Sequence, residues 1–311
     1  MRLMLRLRAR ADAVYDNAYH DRVRGRIWNA LRGTAFDHLH DADRGPGFCF
    51  SNIFPWGDID EGDRRKLLIA AADEEMLAAI ARDFRENPEF NVGQMIMTVD
   101  GMEAVTTDVG EPGSRGTIQT ATGVVCRIPP DMREEYGIEL DRESDDPAGE
   151  GDGVGDSSTF WRPEYSMAPL ATQLTNNLDR KHDLYEPDGL PGPAETGTPL
   201  FSGYDMIKTY ALPVKVAREK ERTLLVSKWR LDYEVADDDH RRHLNLALDI
   251  GIGERNALGF GFINITDGGN TEYVSGGVSE TTSGDADRSG RSDRSDRSDR
   301  SDRRRRGESR A

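Results

Sequence analysis

Along the first hundred residues the apolar positions change period in a fixed order, and that order restricts the fold more than any other feature. Residues 3–11 alternate apolar residues with arginine, the period-two pattern of a strand with one buried and one basic face. Over 16–32, Val23, Ile27, Ala30 and Leu31 fall at helical spacing, and Gly33 can end the helix. Residues 48–54 predict a second strand stopped by Pro55, and 66–71 a third. Asp73 caps a helix running to about Arg85, with Met76, Leu77, Ile80 and Phe84 on one face; Asn87-Pro88 stops it. Residues 92–99 alternate into a fourth strand. The order strand–helix–strand–strand–helix–strand is the ferredoxin-like unit, two helices on one face of a four-stranded antiparallel sheet.

The second half repeats the alternation with insertions. Residues 108–116 form a connection, and 117–128 give one or two strands with a turn near Gly123. Residues 141–158 are acidic and rich in glycine and serine, as expected of a mobile insertion. A helix over 163–178 spaces Leu170, Leu174 and Leu178 along its length. Residues 207–216 and 224–235 are paired strands; 237–249 is a helix, followed by a glycine-rich loop and a closing strand. The predicted fold class is therefore α+β: tandem ferredoxin-like domains, like the RNA-recognition motif in topology, over 1–110 and 111–267. From 268 to 311 the composition shifts. Arg-Ser-Asp recurs between Arg291 and Asp302 and runs into four arginines, so a disordered tail is expected there.

The loop between the last helix and last strand carries four glycines, Gly251, Gly253, Gly259 and Gly261, around Arg255 and Asn256. Glycine stands where a backbone turns left-handed or comes very close to another group. Successive free N–H groups in such a loop make a concave site for an anion, usually a phosphate. A tight helix-to-strand connection would need one such glycine as a C-cap; four around an arginine point to phosphate or nucleic-acid contact.

Formal net charge is −16, from 57 acidic against 41 basic residues among 311, which by itself argues against a nucleic-acid partner. Only six of the basic residues are lysines, and aspartate is scattered along the whole chain. That pattern fits adaptation to very high salt, where an acidic surface keeps a protein soluble and counter-ions screen its self-repulsion. Net charge then reports the solvent, and the placement of the arginines reports the ligand. Two cysteines, Cys49 and Cys126, each inside an apolar run, give neither a disulfide framework nor a cysteine-based metal site. No run is long enough to span a bilayer and no signal-peptide core opens the chain, so a soluble cytoplasmic protein with no membrane partner is expected.

HExxH, GxSxG and P-loop motifs are absent. The informative stretch is 36–44, where His38 and His40 stand among three aspartates and Arg44. Metal ligation would need a second cluster; His240 and His243 are the one paired candidate, and no metal is expected. A polar surface loop is the plain alternative. General acid–base chemistry is the third reading, since a histidine can deprotonate a nucleophile or protonate a leaving oxygen near neutral pH. Ser114-Arg115 and Ser227-Lys228-Trp229-Arg230 are further candidates for nucleic-acid contact; the second interleaves basic residues with an aromatic.

These residues resemble the CRISPR-associated endoribonucleases that cut the CRISPR precursor transcript into guide RNAs, the sixth Cas family. The resemblance rests on GIGERNALGFGFINI, on the RIWNAL helix followed by HLHDADRGPGFCFSNIF, and on the tandem domain plan, and it covers about residues 1–267. It implies a cofactor-free, metal-independent cut. The 2′-hydroxyl attacks the adjacent phosphate and leaves a 2′,3′-cyclic phosphate and a 5′-hydroxyl. It implies precursor CRISPR RNA and mature guide RNA as partners, with other effector-complex subunits. The family histidine maps to His40, with His38 in reserve. The family's helix tyrosine falls on Trp28 and its lysine near Pro46 and Gly47, leaving Arg44 as the nearest cation. Gly251, Gly253, Arg255, Asn256, Gly259 and Gly261 take the place of the RNA-contacting loop, binding RNA or shaping the site, with packing alone as the alternative for Gly251 and Gly261. The alternative is a non-catalytic RNA-binding subunit of a CRISPR effector complex.

Overall fold

In a computed structural model of the chain, residues 1–15, 19–40, 45–139, 158–186, 188–217 and 220–274 are described. The first half runs β1 (Arg2–Ala9), α1 (Tyr19–Leu31), β2 (Phe48–Phe50), β3 (Arg64–Ala71), α2 (Glu74–Glu86), β4 (Glu89–Val92) and β5 (Met95–Asp108). Its sheet is ordered β5-β1-β3-β2 with every pairing antiparallel. That is the ferredoxin-like order, β5 standing in the fourth position. The predicted fourth strand is in fact a hairpin: β4 pairs with β5, and Glu89 lies opposite Thr98. The alternation continues through the turn at Gly93, which hides the break. Leu3, Leu5 and Leu7 point into a core with Val23 and Ile27 of α1 and Met76, Ile80 and Phe84 of α2. The expected basic face of β1 is largely neutralised, because Arg6 pairs with Glu103 and Arg8 with Asp100.

The second half runs β6 (Arg115–Thr120), β7 (Arg127–Ile128), α3 (Pro130–Glu135), β8 (Thr159–Phe160), α4 (Met167–Tyr185), α5 (Pro193–Thr196), β9 (Gly203–Ala217), β10 (Lys220–Glu234), α6 (Asp238–Ile250) and β11 (Ile263–Asp267). Its four-stranded sheet has the order β11-β6-β10-β9, again antiparallel throughout. With α4 and α6 as the two crossover helices, the same topology appears a second time. Leu170, Leu174 and Leu178 of α4 pack with Leu244 and Leu248 of α6 against Ile118, Trp229 and Leu231 of the sheet. Trp229, a stacking candidate from the sequence, is therefore core.

Two features differ from the expected boundaries. β12 (Asn270–Val274) lies beyond residue 267 and pairs with β5 of the first sheet, so the chain returns to its N-terminal half. Helix α4 continues seven residues past Leu178. The acidic insertion, apart from its last residue Ser158, and the tail beyond Val274 lie outside the described residues. Among the described residues no helix is long and apolar enough to cross a membrane.

Arg2 joins the two sheets. It is buried, and its guanidinium donates to Asn264 Oδ1 at 2.6 Å, to Leu248 O at 2.8 Å and to Ile263 O at 2.9 Å. The chain's amino terminus meets Asp249 Oδ1 at 2.8 Å. The first residues of the chain thus hold the end of α6 and the start of β11, the two exits of the glycine-rich loop.

Candidate active site

The loop begins where α6 ends. Gly251 N–H donates to Ala247 O at 2.9 Å, and Gly251, Gly253, Gly259 and Gly261 all have positive φ. Arg255 does too, at φ 59, alone among the described non-glycine residues. The close neighbours of the glycines are protein atoms. A side chain at Gly253 would stand 2.5 Å from Val125 O, at Gly251 2.7 Å from the Asn256 amide nitrogen, at Gly259 inside the Phe50 ring, and at Gly261 on Ile252 O. The glycines let the chain fold tightly on itself, whereas the sequence suggested an open cradle.

Polar side chains fix that shape. Asn256 Nδ2 donates to Ile252 O at 3.0 Å and Phe260 O at 2.9 Å, tying the two arms of the loop together. Lys181 of α4 donates from Nζ to Gly251 O and Gly253 O, both at 2.9 Å. Glu254 meets Arg127 at 2.6 Å. Burial draws the Lys181 ammonium down to about 7, against opposing pulls from Cys49 and Glu254. On its other side the loop rests on α1. Buried His20 stacks between Tyr19 and Phe260, at ring separations of 4.2 and 4.9 Å, and its Nδ1 lies 2.7 Å from Leu258 O. Burial pushes the His20 imidazole down to about 4, so at neutral pH it is uncharged and donates from Nδ1 to that carbonyl.

Between the loop, the segment Gly45-Pro46-Gly47 and α4 lies a cleft of about 530 Å³. Its α4 wall is Gln173, Asn177, Lys181 and Tyr185, which are four residues apart and so share one helix face. Arg255 and Asn256 contribute from the loop. Tyr185 reaches across to donate to Gly45 O.

His40 lies elsewhere. It ends a 3-10 turn (Asp37–His40) that follows α1, is exposed, and meets Trp28 edge-on at 5.1 Å. It lines a second depression, of about 280 Å³, with Trp28, Arg24, Arg32, Asp21 and Asp37, and this shares no residue with the cleft. His38 is also exposed, but its Nδ1 is held 2.8 Å from Ala35 O within the turn. Arg44 lies outside the described residues.

The remaining candidates line neither depression. Ser114 is half-buried at the start of β6, and Arg115 is exposed and pairs with Glu234 at 2.8 Å. Ser227 is buried and accepts from Trp229 Nε1 at 2.7 Å. Lys228 stands directly across from Lys208 on β9 and donates to Ala121 O at 2.9 Å. Ala121 N–H in turn donates to Phe262 O, so Lys228 reaches the base of the loop. His240 and His243 face Leu200 O and Pro191 O and serve packing. Among the described residues no three His, Cys, Asp or Glu side chains converge. Sequence reasoning missed Lys181 and Gln173, although their four-residue spacing beside the leucine stripe was the available signal.

Residues 155–265 match the family model described as CRISPR associated protein Cas6, C-terminal. A CRISPR-associated endoribonuclease Cas6 from the halophile Haloferax mediterranei is 49% identical over 286 residues, covering 92% of this chain and 99% of the relative. This chain belongs to the Cas6 family. It is an endoribonuclease, and its relative's source agrees with the acidic, lysine-poor composition. Among solved structures, a CRISPR-associated protein Cas6 aligns with a TM-score of 0.59 at 16% identity, over 85% of this chain and 98% of its own. A structure titled as an RAMP protein binding different RNA substrates gives 0.57 at 17%, over 85% and 99%. These two share the fold.

Proposed function

We propose that this Cas6 protein cuts precursor CRISPR RNA within its repeats and retains the guide RNA product in the cytoplasm for other effector subunits. The supporting observation is His40: an exposed imidazole, set on a turn against Trp28, in a depression that also holds Arg24 and Arg32. The RNA's own 2′-hydroxyl oxygen attacks the adjacent phosphorus and the bond to the 5′-oxygen breaks, so no metal-bound water is needed. His40 moves a proton, either off the 2′-oxygen or onto the leaving 5′-oxygen. Arg24 and Arg32 stabilise the charge of the phosphorane; arginine remains protonated and suits that task better than proton transfer. His38 and Arg44 are the secondary candidates.

The glycine-rich loop, with Arg255 and Asn256 at the cleft, holds the RNA, and Ser114, Arg115 and Lys228 extend the contact surface, while buried Ser227 supports Trp229 beneath it. Support for an RNA partner comes from a structural neighbour described as binding different RNA substrates. The test is incubation of the purified chain with repeat RNA in excess chelator at high salt. A cut within the repeat, with 2′,3′-cyclic phosphate and 5′-hydroxyl ends, is expected. A cut that the chelator abolishes, or products with 5′-phosphate ends, would overturn the mechanism.

A further inference from the structure

Gln173 lies in the wall of the cleft and is only 4% exposed. Its side-chain oxygen is buried with no hydrogen-bond partner. Buried acceptors are nearly always satisfied, and an unpartnered one in a cleft wall can take a donor from a bound ligand or a water. The residue is held rigidly: α4 is packed along Leu170, Leu174 and Leu178, and Asn177 Nδ2 donates to the Gln173 backbone carbonyl at 2.9 Å, fixing the neighbouring turn.

The charge around this acceptor is the reverse of the chain's. In a protein of net charge −16, the described residues that line the cleft include Arg127, Arg180, Lys181 and Arg255 against one carboxylate, Glu254. Protonated Lys181 uses two of its three N–H donors on the loop carbonyls, which leaves one for an anion, and an anion there favours the protonated form. Arg180 is exposed at the rim.

We infer that the cleft between α4 and the glycine-rich loop is a base-reading subsite for one nucleotide of the RNA. There the Gln173 side-chain oxygen accepts an N–H from the base, and Lys181 and Arg180 hold the adjoining phosphate. This rests on the reading of the glycine-rich loop as an RNA-binding element, and it adds a residue that decides which base is accepted. A base that turns a carbonyl or ring nitrogen toward Gln173 leaves both acceptors unpaired and is rejected.

The test uses the full chain and four labelled single-stranded octanucleotides, of A, C, G and U, with affinity read by fluorescence anisotropy. The wild-type chain is expected to prefer one base by about fivefold or more, the worth of a single hydrogen bond to a buried acceptor. Gln173→Leu should bring the four affinities to within about twofold of each other. Arg180→Ala should weaken all four alike and lower the salt dependence by about one phosphate contact. A preference unchanged in Gln173→Leu, or none in the wild type, would overturn the subsite and leave the loop reading standing. No affinity for any RNA would overturn both. Should Gln173→Leu fail to fold, 4-thiouridine cross-linking to the wild-type chain decides: adducts on residues 167–185 are expected, and adducts only elsewhere would overturn the subsite.

Discussion

The glycine-rich loop and the His40 turn are built in opposite ways. The loop is held from every side. Lys181 and Asn256 take up its carbonyls, Arg2 grips both exits, His20 supports it from α1, and its glycines sit against Val125, Phe50 and Ile252. The His40 turn follows α1, and its histidine is exposed and meets the edge of Trp28. A surface that must present fixed contacts to a ligand gains from that many restraints, since its geometry is set before binding. A group that transfers a proton needs access and an unstrained ring. On the proposed function the difference separates holding the RNA from cutting it, and each end of the comparison can be attacked on its own.

The loop gives the largest expected effect. Gly261→Val puts a branched side chain on Ile252 O at a left-handed position, and should lower stability by about 4 kcal/mol in denaturant unfolding. A loss below about 1 kcal/mol would mean the loop is looser than its bonds imply. At the other end, His40→Ala should slow single-turnover cleavage by about 10²- to 10³-fold and leave stability unchanged. Arg2→Met tests whether the loop's exits matter. It strands two buried carbonyls and should cost about 3 kcal/mol, measured by chemical denaturation.

His20 gives a smaller effect with a definite sign. Its pKa is about 4 in the folded chain against 6.5 ordinarily, so between these values the unfolded chain binds more protons. Stability therefore falls as the pH drops, by about 2 kcal/mol between pH 7 and 5 from this group. His20→Asn should show a correspondingly shallower loss over that interval; an identical slope would place the pH dependence elsewhere. Lys181→Met frees two loop carbonyls and should weaken RNA affinity by about tenfold, the smallest change of the set.

The fold was legible because both sheets bury one face, and burial on one face writes itself into the sequence as period. Leu3, Leu5 and Leu7 announce β1, and Leu244 and Leu248 announce α6. Where the pattern failed, burial was partial. β5 runs on through half-exposed Thr107 and Asp108, and β12 pairs with an edge through Asn270, Thr271 and Glu272. Neither carries a buried stripe to detect. The end of α4 was missed because its leucine stripe stops at Leu178 while a polar stripe, Asn177, Lys181 and Tyr185, continues. The glycine-rich loop was conspicuous, but its composition did not reveal that each glycine answers to a protein neighbour 5 to 209 residues away in sequence. Gln173 shares the four-residue spacing of that polar stripe, but only the fold brings the loop against its helix.

The most direct test of the division between holding and cutting measures two quantities on one repeat RNA, equilibrium affinity and the single-turnover rate at saturating protein. Both are compared among the wild type, His40→Ala and Lys181→Met. The account predicts that His40→Ala keeps the affinity within about twofold and loses about 10²-fold or more in rate, while Lys181→Met loses affinity and keeps the saturated rate within about threefold. If His40→Ala weakens binding as much as it slows cleavage, or if Lys181→Met lowers the saturated rate as far as His40→Ala does, the two regions are one site and the division is wrong.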